Sequence, residues 1–355
     1  MTTYFRDNVD HMAPYVPGEQ PAAGARVIKL NTNENPYPPS PRAMAALREV
    51  DADALRRYPQ PYAQPLREAA GRALGVDPAW ILAGNGSDDL LAMIVLACAD
   101  RGRKIVYPMP TYVLYRTLAD MQAADTVEVP FDEDYTLPVD ALLAERGAVT
   151  FIASPNSPSG TRFANDRLAA LAEGLGRHHG VLVIDEAYAD FASHNAMELV
   201  ARHENVIVLR TFSKGYGLAG LRLGFGVMRP ALMAGIDKVK DSYPVDAVAC
   251  AVGAAAMDDQ AYKNACCAKV VASRDRLANA LRAMGYTVWP SEANFLLAGT
   301  PDGGSAAPTY QALKSRGILV RYFDQDRLRD KLRITVGTEE QNAALVEALR
   351  GDTSQ

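Results

Sequence analysis

This chain offers little to metal or disulfide chemistry. Its four cysteines, Cys98, Cys250, Cys266 and Cys267, show no metal-ligand spacing. Three lie in alanine-rich, helix-like surroundings and read as small apolar residues, and four are too few for a disulfide framework at this length. The five histidines, His11, His178, His179, His194 and His203, make no HExxH pair, so no metal site is expected. No GxSxG elbow occurs, which removes the commonest hydrolase nucleophile. No apolar run approaches the roughly 18 residues of a membrane span. The first fifteen residues mix charges of both signs without an apolar centre, unlike a secretory signal. A formal net charge of -5 lacks the basic footprint of a nucleic-acid binder. The expectation is a cytoplasmic protein with neither nucleic-acid nor membrane partners.

What is present is enough chain for two packed domains: 355 residues, 48% hydrophobic and 22% charged. Residues 1–40 are rich in Pro, Asn and polar groups and read as an extended arm with turns. Helices are expected from 41 to near 57–59 and over 64–74. Gly84-Asn85-Gly86 is turn chemistry, and Ser87-Asp88-Asp89 has the polar, acidic character of a helix start. Strand-like runs then follow at 104–107, 127–129, 149–153, 181–184 and 206–209, separated by helical stretches near 112–122, 164–178 and 197–201. Such alternation predicts βαβ units and a mostly parallel sheet covered on both faces. After Pro230 the character changes. An alanine-rich helical stretch over about 244–284 precedes short strands at 286–289, 294–297, 318–321 and 331–336, with helices at 309–316 and from 339. The expected architecture is α/β: an arm (1–40) that also supplies part of the small domain, a large domain (41–243) and a smaller α+β domain (244–355).

The stretch 206–226, VIVLRTFSKGYGLAGLRLGFG, organises the rest. A buried strand ends at Arg210-Thr211-Phe212, and Lys214 follows in a loop carrying Gly215, Gly217, Gly220 and Gly224. A lysine held at the end of a buried strand is poorly placed as a solvated charge. Buried lysines lose basicity and become amine nucleophiles, so Lys214 is a candidate for covalent capture of an aldehyde cofactor. Residues 215–220 also satisfy GxGxxG. That dinucleotide reading fails because 221–228 reads as a strand and Asp237 and Asp241 fall in a charged helical stretch. A Ser213/Lys214 hydrolase dyad would leave Asp185 and Arg222 unexplained.

Ligands of such sheets bind beyond the carboxyl ends of the strands. Asp185, at the end of 181–184, is most simply a helix cap or loop carboxylate. It precedes Lys214, however, by the length of one βαβ step, which puts both on the same sheet edge. A carboxylate there could keep a pyridine nitrogen protonated. Asn156, in the turn 154–160, and Tyr188 could both reach a ring hydroxyl. Gly86, Ser87 and Asp88 at a helix start, with Ser213 and Arg222 flanking the lysine, form a distributed anion site.

Together, SPNSPSG (154–160), DEAY (185–188), TFSKGYGLAGLRLGF (211–225) and LRITVGT (332–338) resemble the fold type I pyridoxal-phosphate aminotransferases, and among them the histidinol-phosphate aminotransferase branch. The resemblance runs from LNTNENPYPPSP through RYPQP (57–61) to the C-terminal RITVGT. It implies an aspartate-aminotransferase-like large domain with a smaller α+β domain, pyridoxal 5'-phosphate as cofactor, and a homodimer with shared active sites. Lys214 would bind the cofactor's aldehyde and later shuttle the substrate's proton. Asp185 would pair with the pyridinium nitrogen, and Tyr188 would contact the ring oxygen. Tyr112 would stack on the ring. Gly86, Ser87, Asp88, Ser213 and Arg222 would hold the phosphate, and Tyr58 would reach the phosphate of the other subunit's cofactor. Arg333 is the expected clamp for the substrate's acidic end, with Arg321, Asn33 and Tyr15 as further substrate contacts. The chain departs from the NPTG-like motif of many relatives. Ser157 stands where they have asparagine, and either Asn156 supplies the ring contact or Ser157 does so more weakly.

The implied reaction is reversible, ping-pong transfer of an amino group from histidinol phosphate to 2-oxoglutarate, a step of histidine biosynthesis. Alternatives are an aromatic or other amino-acid aminotransferase of the same branch and a decarboxylase of a phosphorylated amino acid. A cofactor-binding transcription regulator would need an added DNA-binding domain, for which neither the stretch before Asn31 nor the charge gives an expectation.

Overall fold

The computed structural model describes residues 4–13, 18–22, 24 and 26–352. After a short strand, β1 (Ile28–Lys29), the central sheet comprises β2 (Ile81–Gly84), β3 (Lys104–Met109), β4 (Asp125–Pro130), β5 (Val149–Ala153), β6 (Val181–Asp185), β7 (Val206–Thr211) and β8 (Gly224–Met228). Their spatial order is β2-β8-β7-β6-β5-β3-β4. The pairs from β7 to β4 are parallel, whereas β8 is antiparallel to both β7 and β2. Because β8 runs against both neighbours, β2 points the same way as the parallel set. The carboxyl ends of those strands and the amino end of β8 therefore share one edge.

Every residue of β5, β6, β7 and β8 is buried, which explains their continuous apolar runs. Successive side chains serve opposite faces. Leu182, Ile184, Val206 and Val208 pack on the side covered by the helices Gln64–Leu74, Asn165–Gly176 and Ala247–Met257. Val181, Val183, Ile207 and Leu209 pack on the side covered by Ser87–Cys98, Leu114–Met121 and Pro230–Ile236.

The smaller unit holds β9 (Thr287–Val288), β10 (Phe295–Gly299), β11 (Ile318–Leu319), β12 (Arg321–Tyr322) and β13 (Lys331–Thr335). Four of these form an antiparallel sheet in the order β12-β13-β10-β9, while β11 pairs in parallel with β1. Its core joins Leu30, Leu296 and Ile334 to Leu277 and Leu281 from the long helix Gln260–Ala283 and to Leu345 and Leu349. The front of that helix, through Cys267 and Val270, packs instead with Phe191 and Val336. One rigid helix thus spans from beside the large sheet to the small core.

The alanine-rich stretch is divided into Ala247–Met257 and Gln260–Ala283. The first packs on Pro41–Glu49 and Gln64–Leu74. Residue 244 thus precedes a helix that covers the large sheet, and the small core draws its first helical residues from Leu277 onward. Strand β2 is not anticipated by the sequence reading, because four residues ending in Ala83-Gly84 look like the approach to a turn.

Candidate active site

The shared edge of the sheet opens into a cavity of about 300 Å³. Asp185 ends β6, and β6 pairs in parallel with β7, Asp185 lying opposite Leu209. Lys214 follows β7 directly, so the expected neighbouring-strand arrangement is present, and both side chains line the cavity. The Lys214 ammonium donates to the backbone carbonyl of Thr32 at 3.2 Å and lies 5.7 Å from the centre of the Tyr188 ring. The Asn35 amide donates to the carbonyls of Lys214 and Gly215 at 3.0 and 3.1 Å, fixing the turn from the front.

Asp185 is buried, and its carboxylate accepts from the Tyr115 hydroxyl at 2.9 Å and the Ala187 N–H at 3.1 Å. Neither partner is a cation. Burial raises its pKa to about 6, against the pull of those two hydrogen bonds. Tyr115 stacks on Phe151 at 4.7 Å between ring centres, and burial together with the Asp185 charge pushes its phenol well above the usual range. Tyr188 lies edge-on to Phe295 and accepts from the Asn33 amide at 2.9 Å. Asn33 adopts a left-handed backbone and is held by Thr335 and Asn294.

The anion site is built where β2, β7 and β8 meet, with Gly224 in register with both Gly84 and Thr211. A side chain at Gly224 would put its Cβ 2.5 Å from the Ser87 nitrogen, so glycine is what lets β8 pass the start of the helix Ser87–Cys98. Gly86, at φ +88°, caps that helix, and a Cβ there would lie 2.9 Å from Arg222 Nη2. Arg222 also donates to the Asp88 carboxylate at 3.3 Å. Ser87, Asp88, Ser213 and Arg222 all line the cavity. Helix N–H groups, a hydroxyl and a guanidinium thus converge on one corner suited to a phosphate. Tyr112, on the loop after β3, walls the adjacent side.

On the small-unit side, Arg321 of β12 is directly opposite Arg333 of β13. Both line the cavity. Arg333 donates to the Ser157 hydroxyl at 2.9 Å and the Asn31 carbonyl at 3.0 Å, and its guanidinium lies over Phe295 and Phe323.

Two expected residues lie elsewhere. Asn156 does not line the cavity. Its Oδ1 accepts from Thr111 at 2.7 Å, and its amide donates to the Pro110 carbonyl and Ser159 hydroxyl at 3.2 and 3.0 Å. The side chain braces two loops against each other, and it is Ser157 that faces the cavity. Tyr58 is 82% exposed, stacked on Tyr243 and away from this chain's own cavity. Tyr15 falls outside the described residues. Sequence reasoning missed Thr32, Asn35 and Tyr115. A buried tyrosine beside a strand-end aspartate has no local signature, because the helix Leu114–Met121 and the end of β6 are brought together only by the tertiary fold.

The cavity has the parts that pyridoxal phosphate requires: a primary amine, a buried carboxyl, a phenol, and a corner of anion donors left open by glycines. No helix among the described residues is long and apolar enough to cross a membrane.

Comparison with known proteins agrees with this geometry. The model of the family "aminotransferase class I and II" matches residues 25–349. The chain is 60% identical over 350 residues to histidinol-phosphate aminotransferase 1 of Trichormus variabilis, covering 99% of each chain. It is 45% identical over 339 residues to histidinol-phosphate aminotransferase of Rhodopirellula baltica, covering 95% of this chain and 92% of the other. Among solved structures, histidinol-phosphate aminotransferase of Sinorhizobium meliloti in complex with pyridoxal-5'-phosphate superposes with a TM-score of 0.87 at 28% identity, covering 99% of both chains.

Proposed function

The chain belongs to the class I and II aminotransferases, and from that membership we propose that it is a pyridoxal-phosphate-dependent enzyme transferring the amino group of histidinol phosphate to 2-oxoglutarate. The observation that carries this reading is the meeting of Lys214, Asp185 and Tyr188 in one cavity with the Arg321–Arg333 pair. A lysine and an acid alone would serve many reactions. Two arginines facing them call for a substrate that carries an anion beyond its amine.

When bound, pyridoxal phosphate supplies an aldehyde that condenses with primary amines and a protonated ring that withdraws electrons from the substrate's α-carbon. Lys214 would hold that aldehyde through its Nζ. The same Nζ, when not so engaged, would be the base that moves the proton from the substrate's α-carbon. Asp185, buried at the end of β6, would keep a proton on the ring nitrogen through its carboxylate. Tyr188, held by Asn33, contacts the ring oxygen. Tyr112 covers one face of the ring. Gly86, Ser87, Asp88, Ser213 and Arg222 hold the phosphate. Ser157, not Asn156, supplies the hydroxyl on the remaining wall.

Arg321 and Arg333 receive the donor's phosphate and the acceptor's carboxylate in turn, which is how one site serves both halves of a ping-pong cycle. Asn33 and, from the arm, Tyr15 complete the substrate's surroundings. Tyr58, projecting beside Tyr243, reaches the phosphate corner of a second copy, so the working unit is a homodimer. The donor is tested by mixing the loaded enzyme separately with histidinol phosphate, phenylalanine and phosphoserine without acceptor and following the cofactor spectrum. The reading expects conversion to the amine form fastest with histidinol phosphate. Preference for phenylalanine would reassign the donor, and carbon dioxide release from phosphoserine would reassign the reaction.

A further inference from the structure

A closed set of charges lies behind Lys214, on the side away from the cavity. Glu186 follows Asp185, and Arg210 precedes Thr211 at the end of β7. Arg210 Nε donates to Glu186 at 2.8 Å, and its Nη1 lies 3.6 Å from Asp190 Oδ1. Lys263 donates to the same Asp190 oxygen at 2.9 Å. All four are nearly withdrawn from water, with side-chain exposures of 11% or less for Arg210, Glu186 and Asp190 and 12% for Lys263. Burying two cations and two anions is costly, and such sets are a poor way to gain stability. What they do well is fix geometry.

The geometry fixed here is that of the Lys214 turn. Asp190 is pressed on Gly215 so closely that a Cβ there would lie 2.3 Å from the carboxylate. The turn cannot move toward Asp190, and the Asn35 amide holds it from the other side. Lys263 also lies 5.3 Å from the Tyr216 ring centre, and Cys267 one turn later faces the Gly215 carbonyl at 3.8 Å. Both sit on the helix Gln260–Ala283, whose far end enters the small core with Leu277 and Leu281.

We infer that Asp190, held between Arg210 and Lys263, is a positioning residue that sets where the Lys214 amine reaches and ties that reach to the helix carrying the small unit. This rests on the reading of Lys214 as the cofactor-bearing lysine. Without the tether, the turn gains freedom toward the vacated side, and the amine loses its alignment with the substrate's α-carbon.

The test uses the loaded enzyme as Asp190→Ala, Asp190→Asn and Lys263→Met. Amide hydrogen exchange over 214–217 should accelerate about tenfold in Asp190→Ala while the strands of the sheet keep their protection. The kcat should fall on the order of 10- to 100-fold, with the donor KM within about twofold of the parent. Asp190→Asn, which can still accept from Lys263, should recover most of both losses. Lys263→Met leaves Asp190 in place and should reproduce the exchange change in weaker form, so the inference is still tested if Asp190→Ala fails to fold. Unchanged exchange over 214–217 in Asp190→Ala and Lys263→Met, or acceleration spread evenly over the sheet, would overturn it. The exchange result stands apart from activity. A parent enzyme that transaminates no donor defeats the functional reading, whereas a normal parent with unchanged variants defeats only this inference.

Discussion

Arg321 and Arg333 face each other across neighbouring antiparallel strands, β12 and β13. Like charges in directly opposed positions disfavour a sheet. Here the cost is offset in part by aromatic faces, since Arg321 lies 5.2 Å from the centre of Phe323 and Arg333 lies 5.4 Å from that of Phe295. A bound oxyanion would relieve the rest. Arg321→Gln should therefore raise the KM for histidinol phosphate about 10- to 100-fold, the worth of a charge-assisted hydrogen bond. Inorganic phosphate should raise the melting temperature of the parent protein and have little effect on the variant.

Asp185 makes stability depend on pH. Its folded pKa of about 6 stands above the ordinary 3.8 because the carboxyl is buried. Between those values the folded chain keeps a proton that the unfolded chain has lost, so stability falls as pH rises through this window. The penalty is complete above the folded pKa, at about 3 kcal/mol. Cofactor-free Asp185→Asn should be more stable than the parent by up to this amount near about pH 8 and should match it near about pH 4. Urea unfolding at the two pH values measures the difference. The same variant should transaminate far more slowly.

Gly224 should tolerate no side chain. A Cβ there would meet the Ser87 nitrogen at 2.5 Å, the Gly86 carbonyl carbon at 2.7 Å and the Arg210 carbonyl oxygen at 2.9 Å, all backbone atoms in fixed strands or a helix start. Gly224→Ala should lose about 2–4 kcal/mol by overpacking and release cofactor faster on dialysis. Gly220, where an added Cβ meets nothing within 4 Å, is the control: Gly220→Ala should behave like the parent.

Asn156 and Ser157 are adjacent but should fail differently. Asn156→Ala leaves Thr111 and Ser159 without their partner in a buried place and should cost about 2 kcal/mol of stability. Ser157→Ala removes an acceptor of Arg333 and should raise the KM for the acceptor acid about fivefold, close to 1 kcal/mol, with little loss of stability. Thermal melts and steady-state kinetics on the same preparations separate the two.

The sequence made much of this legible because the site is assembled from strand ends. A buried strand announces itself as an apolar run, and whatever follows it falls on the active edge, so Asp185, Lys214 and the helix start at Ser87 could be placed together. The contribution of β8 was harder to see, since only its antiparallel course brings Arg222 and Gly224 back to Gly86. The place of Asn156 was not legible for a local reason: a side-chain amide in a turn can face a ligand or brace the turn, and spacing does not distinguish them. Thr32 and Asn35 belong to a segment without periodicity, and their bonds to Lys214 are long-range. The opposition of Arg321 and Arg333 depends on strand register, which short strands do not encode alone.

The central claim is that Lys214 carries the cofactor. Reduction of the loaded enzyme with borohydride, followed by peptide mapping, should place the pyridoxyl group on Lys214 alone, and Lys214→Ala should take up no fixed label. A pyridoxyl group recovered on another lysine, with Lys214 unmodified, would contradict the account.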